Sequence, residues 1–156
     1  MFDTVLGLPV HALVVHAVVV LLPLAALATA VWAWQRRPER RTPRTGWLVV
    51  ALDAGVTVLA LVAKQSGEAL QRRLGGQVAL EHGSQGRWLP WLALALTAVT
   101  LLVQLSRRSG DRWPVPEVVS GSVLTVVVLV VLVWTVRVGH SGATAVWGPI
   151  VEHTGK

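Results

Sequence analysis

The chain has 156 residues, of which 53% are apolar and 14% are charged. A domain solvated by water on every side carries nearer a quarter charged residues, so the composition excludes a soluble globule. The net charge of +6 does not indicate nucleic-acid binding, because the arginines lie in short tracts between apolar runs and form no polar face; such tracts set membrane topology.

The first apolar run, residues 10–34, exceeds the roughly 20 residues with which a helix crosses a bilayer. It is too long for the apolar core of a secretory signal, no Lys or Arg precedes it, and no small-residue cleavage site leads into a soluble domain, so it reads as a retained span. It opens with "LPVHALVVH", which places His11 and His16 five residues apart. Five residues on a regular helix turn the second ring by about 140° from the first. One zinc ion gripped by both, which favours an i,i+4 pair, is therefore disfavoured, and the two imidazoles are expected to have different partners. His16 is expected roughly 7.5 Å deeper than His11, where an ionisable group is costly and marks a functional position by default.

The connection "QRRPERRTPR" follows, with five arginines, and then a second run at residues 47–63 that contains Asp53. A carboxyl at that depth is expected to be protonated or to meet a hydroxyl such as Thr97, Ser122 or Thr125. The small-residue pairs Ala26/Ala30 and Ala51/Gly55 are expected to let neighbouring helices approach closely.

Residues 64–87 read as a protruding end of the second helix carrying Lys64, Ser66 and Glu68, a break at Gly75-Gly76, and an interfacial piece with Glu81 and His82. Glu81 is either an acceptor that orients the neighbouring imidazole or a solvated charge. A third run spans 88–105, and "RRSGDRWPVPE" adds three arginines before the fourth run at 118–136. Pro38, Pro43, Pro114 and Pro116 end or start helices in the two arginine-rich connections. "VRVGHSG" then brings Arg137, His140 and Ser141, and His153 in the tail is expected to be solvated. Tryptophans 32, 34, 47, 88, 91, 113, 134 and 147 fall near span ends and read as interface anchors. No internal repeat stands out.

These elements make one four-span domain over residues 1–156: an all-α integral membrane bundle running up-down-up-down. The arginine-rich loops 35–46 and 106–117 are expected in the cytoplasm, with both termini on the outer face of the plasma membrane. That topology brings His11, His16, His82 and His140 to one face from three segments. With no cysteine, covalently attached c-type haem is excluded and histidine and carboxylate remain as ligands. The pattern favours b-type haem held between facing helices, with copper as the next choice and no cofactor as the third. Ser66, Glu68 and Arg137 would complete the site, Arg137 by pairing with Glu68 or a cofactor carboxylate, or else by snorkelling to the headgroups. No hydrolase elbow or nucleotide-binding glycine loop is present.

"GLPVHALVVHAVVVLLPLA", "SGEALQRRL", "LEHGSQGRWLPW" and "VGHSGATAVWG" together resemble, across nearly the whole chain, the bacterial membrane-protein family numbered 2231 among domains of unknown function. The resemblance implies a four-helix membrane domain and motif roles for His11, His16, His82 and His140, with Ser66, Gly67, Glu68, Gly139 and Gly142 around them. Ala12 stands where that family commonly has proline. Some relatives are joined to Rieske-type or cytochrome-type redox domains, which implies an electron-transfer setting. Three functions follow as expectations: a redox module, an accessory subunit of a larger membrane complex such as a respiratory one, and a small transporter. The expected partners are the lipid bilayer and either another membrane protein or a second copy, and not nucleic acid.

Overall fold

The structure, a computed structural model, describes residues 4–5, 8–35, 42–75, 80–109 and 115–154. Arginines 36, 37, 40 and 41, together with Pro38, Trp113, Pro114 and the side chain of His153, lie outside the described residues. A two-residue hairpin, β1 (Thr4–Val5) with β2 (Leu8–Pro9), precedes α1 (Val10–Ala33). There follow α2 (Pro43–Arg73), the short α3 (Leu80–Gly86), α4 (Leu89–Ser109) and α5 (Glu117–Thr154).

Four of the helices are long and apolar enough to cross a membrane. All four predicted runs fall on them, but α2 and α5 continue well past their apolar stretches. Hydropathy ends where charged and small residues interrupt the apolar runs, whereas the helices carry on through turns in which Ser66, Val138 and Ser141 are buried and most other residues are exposed.

Local chemistry fixes the helix ends. The Thr42 hydroxyl accepts from the Thr45 amide at 3.3 Å as an N-cap, and Pro43 occupies the first turn, where its missing N–H costs nothing. At the other end α2 stops at Leu74, followed by Gly75 at φ +80°, a left-handed position that favours glycine.

Each long helix packs on two neighbours, in the cyclic order α1, α2, α4, α5 and back to α1, while α3 lies against α5 and α2. Val18, Leu22, Ala25, Val56, Leu96 and Val131 are among the residues that fill the centre, and large apolar side chains such as Val20, Leu24, Leu48, Val126 and Val136 cover the outside. This inverted surface is what a lipid-solvated bundle requires. The small pair Ala51/Gly55 is a correction. Both residues face outward, and a Cβ at Gly55 would meet nothing within 4 Å. The close approaches occur instead at Gly46, where an added Cβ would fall 2.0 Å from the Gln104 side chain, and at Gly121, where it would fall 3.1 Å from the Trp34 ring.

A second correction concerns repetition. The buried residues Val18, Leu22, Ala25, Thr29, Trp32 and Ala33 of α1 correspond to Leu89, Ala93, Leu96, Thr100, Val103 and Gln104 of α4 at a constant offset of 71 positions (18 to 89). Asp53, Val56, Ala60, Ala63 and Ser66 of α2 correspond in the same way to Val128, Val131, Thr135, Val138 and Ser141 of α5, at an offset of 75 (53 to 128). The close-packed Gly46 and Gly121 fall on that second offset too. The bundle is thus two copies of one helix pair. In the cyclic order the equivalent helices stand on the diagonals, which is the arrangement produced by a two-fold axis along the bundle.

Asp53 is 1% exposed. The Thr29 hydroxyl donates to its two carboxyl oxygens at 2.9 and 3.2 Å, and Thr100 bonds to it from α4. A hydroxyl partner was expected, but Thr97 bonds Thr57 instead, at 2.9 Å, and Thr125 accepts from the Trp34 indole at 2.9 Å. Trp32 is a further correction to the interface reading: it is buried, and the Arg107 guanidinium lies 4.3 Å from its ring centre while donating to the Ala33 carbonyl at 2.9 Å.

Candidate histidine site

His11 is the second residue of α1 and packs against the far part of α2. Its Nδ1–H donates to the Ala63 carbonyl at 3.0 Å, and the Ser66 hydroxyl lies 3.4 Å from the same nitrogen while donating to the same carbonyl at 3.0 Å. The ring covers Gly67 so closely that a Cβ there would stand 2.7 Å from its Cε1. Carbonyl, serine three residues on and glycine four residues on form one turn of helix surface, and that turn is a seat for an imidazole.

His82, in α3, occupies the same seat on α5. Its Nδ1–H donates to the Val138 carbonyl at 3.1 Å, and Ser141 Oγ is 3.4 Å from that nitrogen and donates to the carbonyl at 3.0 Å. A Cβ at Gly142 would stand 3.0 Å from the ring's Cε1 and Nδ1. The Trp134 indole donates to the Gln85 carbonyl at 3.0 Å and holds α3 in place. The two seats are related by the internal repeat, and the rings they hold face each other with centroids 6.4 Å apart and planes crossed at 68°.

Hydrogen-bond chemistry fixes the tautomers. A carbonyl only accepts, so both Nδ1 atoms carry the proton, and both Nε2 atoms are left with a lone pair. Among the described residues no hydrogen bond engages either Nε2. Two neutral imidazoles with ring centroids 6.4 Å apart can serve a Lewis acid, since a carbonyl bonded to Nδ1–H raises the basicity of a metal-binding imidazole.

The other predicted residues are placed differently. His16 is exposed and donates through Nδ1 to the Ala12 carbonyl of its own helix, and His140 is exposed on α5. Among the described residues no group of three His, Asp or Glu side chains converges as a metal cage. Glu68 is half-exposed and pairs with Lys64 at 3.1 Å rather than with Arg137, whose guanidinium lies 5.7 Å from the Trp134 ring centre. Glu81 accepts from Gln85 at 2.9 Å and leaves His82 to the Val138 carbonyl. Of the predicted non-histidines, Ser66 lies 3.4 Å from His11 Nδ1, and Gly67 and Gly142 lie directly under the rings of His11 and His82. Sequence reasoning placed Ser141 at this end of the bundle without assigning it to His82, and missed the Ala63 and Val138 carbonyls and the equivalence of Gly67 and Gly142. The available signal was the Ser-Gly dipeptide repeated at 66–67 and 141–142.

The seats predict modest effects for the serines. Ser66→Ala and Ser141→Ala each remove a donor that shares its carbonyl with an imidazole, so each is expected to cost about 1 kcal/mol of stability in detergent. By the repeat the two losses should be similar, and a thermal melt of each variant checks this.

Curated proteins and solved structures offer no match to the chain. Residues 7–155 match the family model described as a predicted membrane protein, DUF2231, and the chain, with four membrane-type helices and a paired-histidine end, belongs to that family.

Proposed function

We propose that this protein is a membrane redox module that carries one cofactor at the end of the bundle where α1 begins, with b-type haem as the favoured group and copper(I) as the next. The observation that carries the reading is the pair of seated imidazoles, His11 and His82, each with Nδ1–H committed to a carbonyl and Nε2 open. When bound, haem or copper supplies one-electron transfer. The chain's own residues orient two ligands, hold their tautomers and, through the carbonyls and serines, set ligand basicity. Arg137, next to the Val138 carbonyl in sequence and stacked on Trp134, is the cation offered to a cofactor carboxylate. Glu68 keeps Lys64 in place beside the Ser66 seat.

In this reading the helices alternate in direction, the arginine-rich connections face the cytoplasm, and the histidine end faces outward. The repeat supports an interfacial depth for the site. Position 16 corresponds to Arg87, and both are exposed. A level that holds an arginine on the lipid side belongs to the headgroup region, and His11 lies further from the bilayer centre than His16. His16 then serves as a polar boundary residue.

The test is a preparation of the full chain in detergent, expressed with haem available and examined by oxidised-minus-reduced optical spectroscopy and metal analysis on one sample. A Soret band, or one copper per chain, is the expected result. A colourless and metal-free protein after incubation with both haemin and copper(I) would overturn the reading. The accessory-subunit alternative is favoured by one feature, the exposed Val146, Trp147, Ile150 and Val151 on α5 beyond the His82 seat. That alternative predicts co-purification with another membrane chain and cofactor content unchanged by His11→Ala.

A further inference from the structure

We infer that the site takes a single metal centre on the internal two-fold axis, held in line between His11 and His82 as two equivalent ligands with no third ligand among the described residues. This rests on the cofactor reading above and specifies its coordination.

Equivalence follows from the repeat. The carbonyl, serine and glycine that seat His11 recur at a constant offset as those that seat His82, and the helices bearing the seats are diagonal partners in the bundle. A two-fold operation that exchanges the helix pairs exchanges the two imidazoles, so a centre bound equally by both lies on the axis. A centre bound by one ring alone would break the only symmetry that the end of the bundle possesses.

The spacing of the rings agrees with an in-line arrangement. With metal–nitrogen bonds of about 2.0–2.1 Å and roughly 1.1 Å from Nε2 to the ring centre, two imidazoles bound in line have centroids about 6.3 Å apart, whereas a tetrahedral angle brings them to about 5.2 Å. The observed spacing is 6.4 Å. Tetrahedral zinc, which also needs further nitrogen, oxygen or sulfur ligands, is thereby disfavoured, as the lack of a third convergent side chain among the described residues requires. Haem with two axial histidines and two-coordinate copper(I) both meet the in-line condition.

The consequence for haem is functional. His11 and His82 would together hold a bound haem, and with both of them as ligands the group would supply one-electron transfer rather than binding of oxygen or another small ligand. The crossed ring planes, 68° apart, add a spectroscopic signature: a ferric centre with near-perpendicular axial imidazoles gives the highly anisotropic, large-g type of low-spin signal rather than the ordinary rhombic one.

The full-length protein in detergent is titrated with haemin, and the same preparation is examined by optical and electron paramagnetic resonance spectroscopy, with carbon monoxide added after reduction. The expected result is one haem per chain, a large-g low-spin ferric signal, no shift with carbon monoxide, and loss of that signal to the same extent in His11→Ala and His82→Ala. His16→Ala and His140→Ala should retain it. Added imidazole should restore the low-spin signal in His11→Gly, which separates a lost ligand from a lost fold. If haemin is not taken up, copper(I) is used with X-ray absorption, and a two-coordinate edge lost in either variant is expected. A high-spin or carbon-monoxide-binding haem, three or four copper ligands, or one histidine variant that keeps the wild-type signal would overturn the in-line site while leaving the cofactor reading standing. Failure to take up either probe would overturn the cofactor reading itself.

Discussion

Gly67→Ala is expected to weaken cofactor binding by roughly 10- to 100-fold, the range found when the groups that orient metal ligands are disturbed. The added methyl would sit 2.7 Å from His11 Cε1 and 3.0 Å from Nδ1, so the ring has to leave its seat and its bond to Ala63. Gly142→Ala meets His82 at 3.0 Å and should act in the same direction with a smaller effect. Both sites lie in helices, where alanine is favoured over glycine by about 0.5–1 kcal/mol, so the fold itself should survive. Gly55→Ala and Gly139→Ala, which meet nothing within 4 Å, are the matched controls and should bind as the wild type does. Haemin titrations of the four variants, with circular dichroism to confirm helix content, read the ranking. Equal affinity of Gly67→Ala and Gly55→Ala would show that the seat does not orient the ligand.

The spans were legible because lipid-facing residues outnumber buried ones on every long helix, so hydropathy registers them without any knowledge of contacts. The divergence of His11 and His16 was legible too, since it depends only on helix geometry. What spacing could not supply was which ring faces protein and which faces lipid. His11 and His82 are inward only because α2 and α5 continue as helices past the apolar runs and offer an open carbonyl beside a Ser-Gly step. His140 shares that same turn of α5, but its own position puts it on the far side.

The repeat was hidden for a related reason. Within the first half of each unit, the offset preserves His11 as His82 and Thr29 as Thr100, but turns Pro23 into Leu94 and His16 into Arg87. Burial is shared, whereas residue type drifted freely wherever lipid or a similar-sized neighbour was the only constraint. Identity survived at Gly46/Gly121 and at the Ser-Gly seats, where a helix or a ring approaches too closely for substitution. Those few positions carry the duplication, and they are too sparse to register as periodicity.

Asp53 is a buried position at which the two units differ in charge: its counterpart is Val128. Thr29→Val is therefore expected to destabilise the bundle by about 1–3 kcal/mol, because it strips the buried carboxyl of its closest donor and leaves the acid in place. Asp53→Val, which copies the other unit, removes the group that needs satisfying. Thr100 already donates to the Leu96 carbonyl at 2.8 Å, and Thr29 can turn to the equivalent carbonyl of its own helix. That variant should be neutral or more stable than the wild type, and the double variant Thr29→Val with Asp53→Val should recover most of the loss, since replacing both partners by apolar groups of similar shape leaves nothing unpaired. Thermal unfolding in detergent across the four proteins closes the cycle. If Asp53→Val alone is the most damaging change, the carboxyl is a positive element of the fold or its function, and the clamp of two symmetry-related threonines exists to hold it ready in the core.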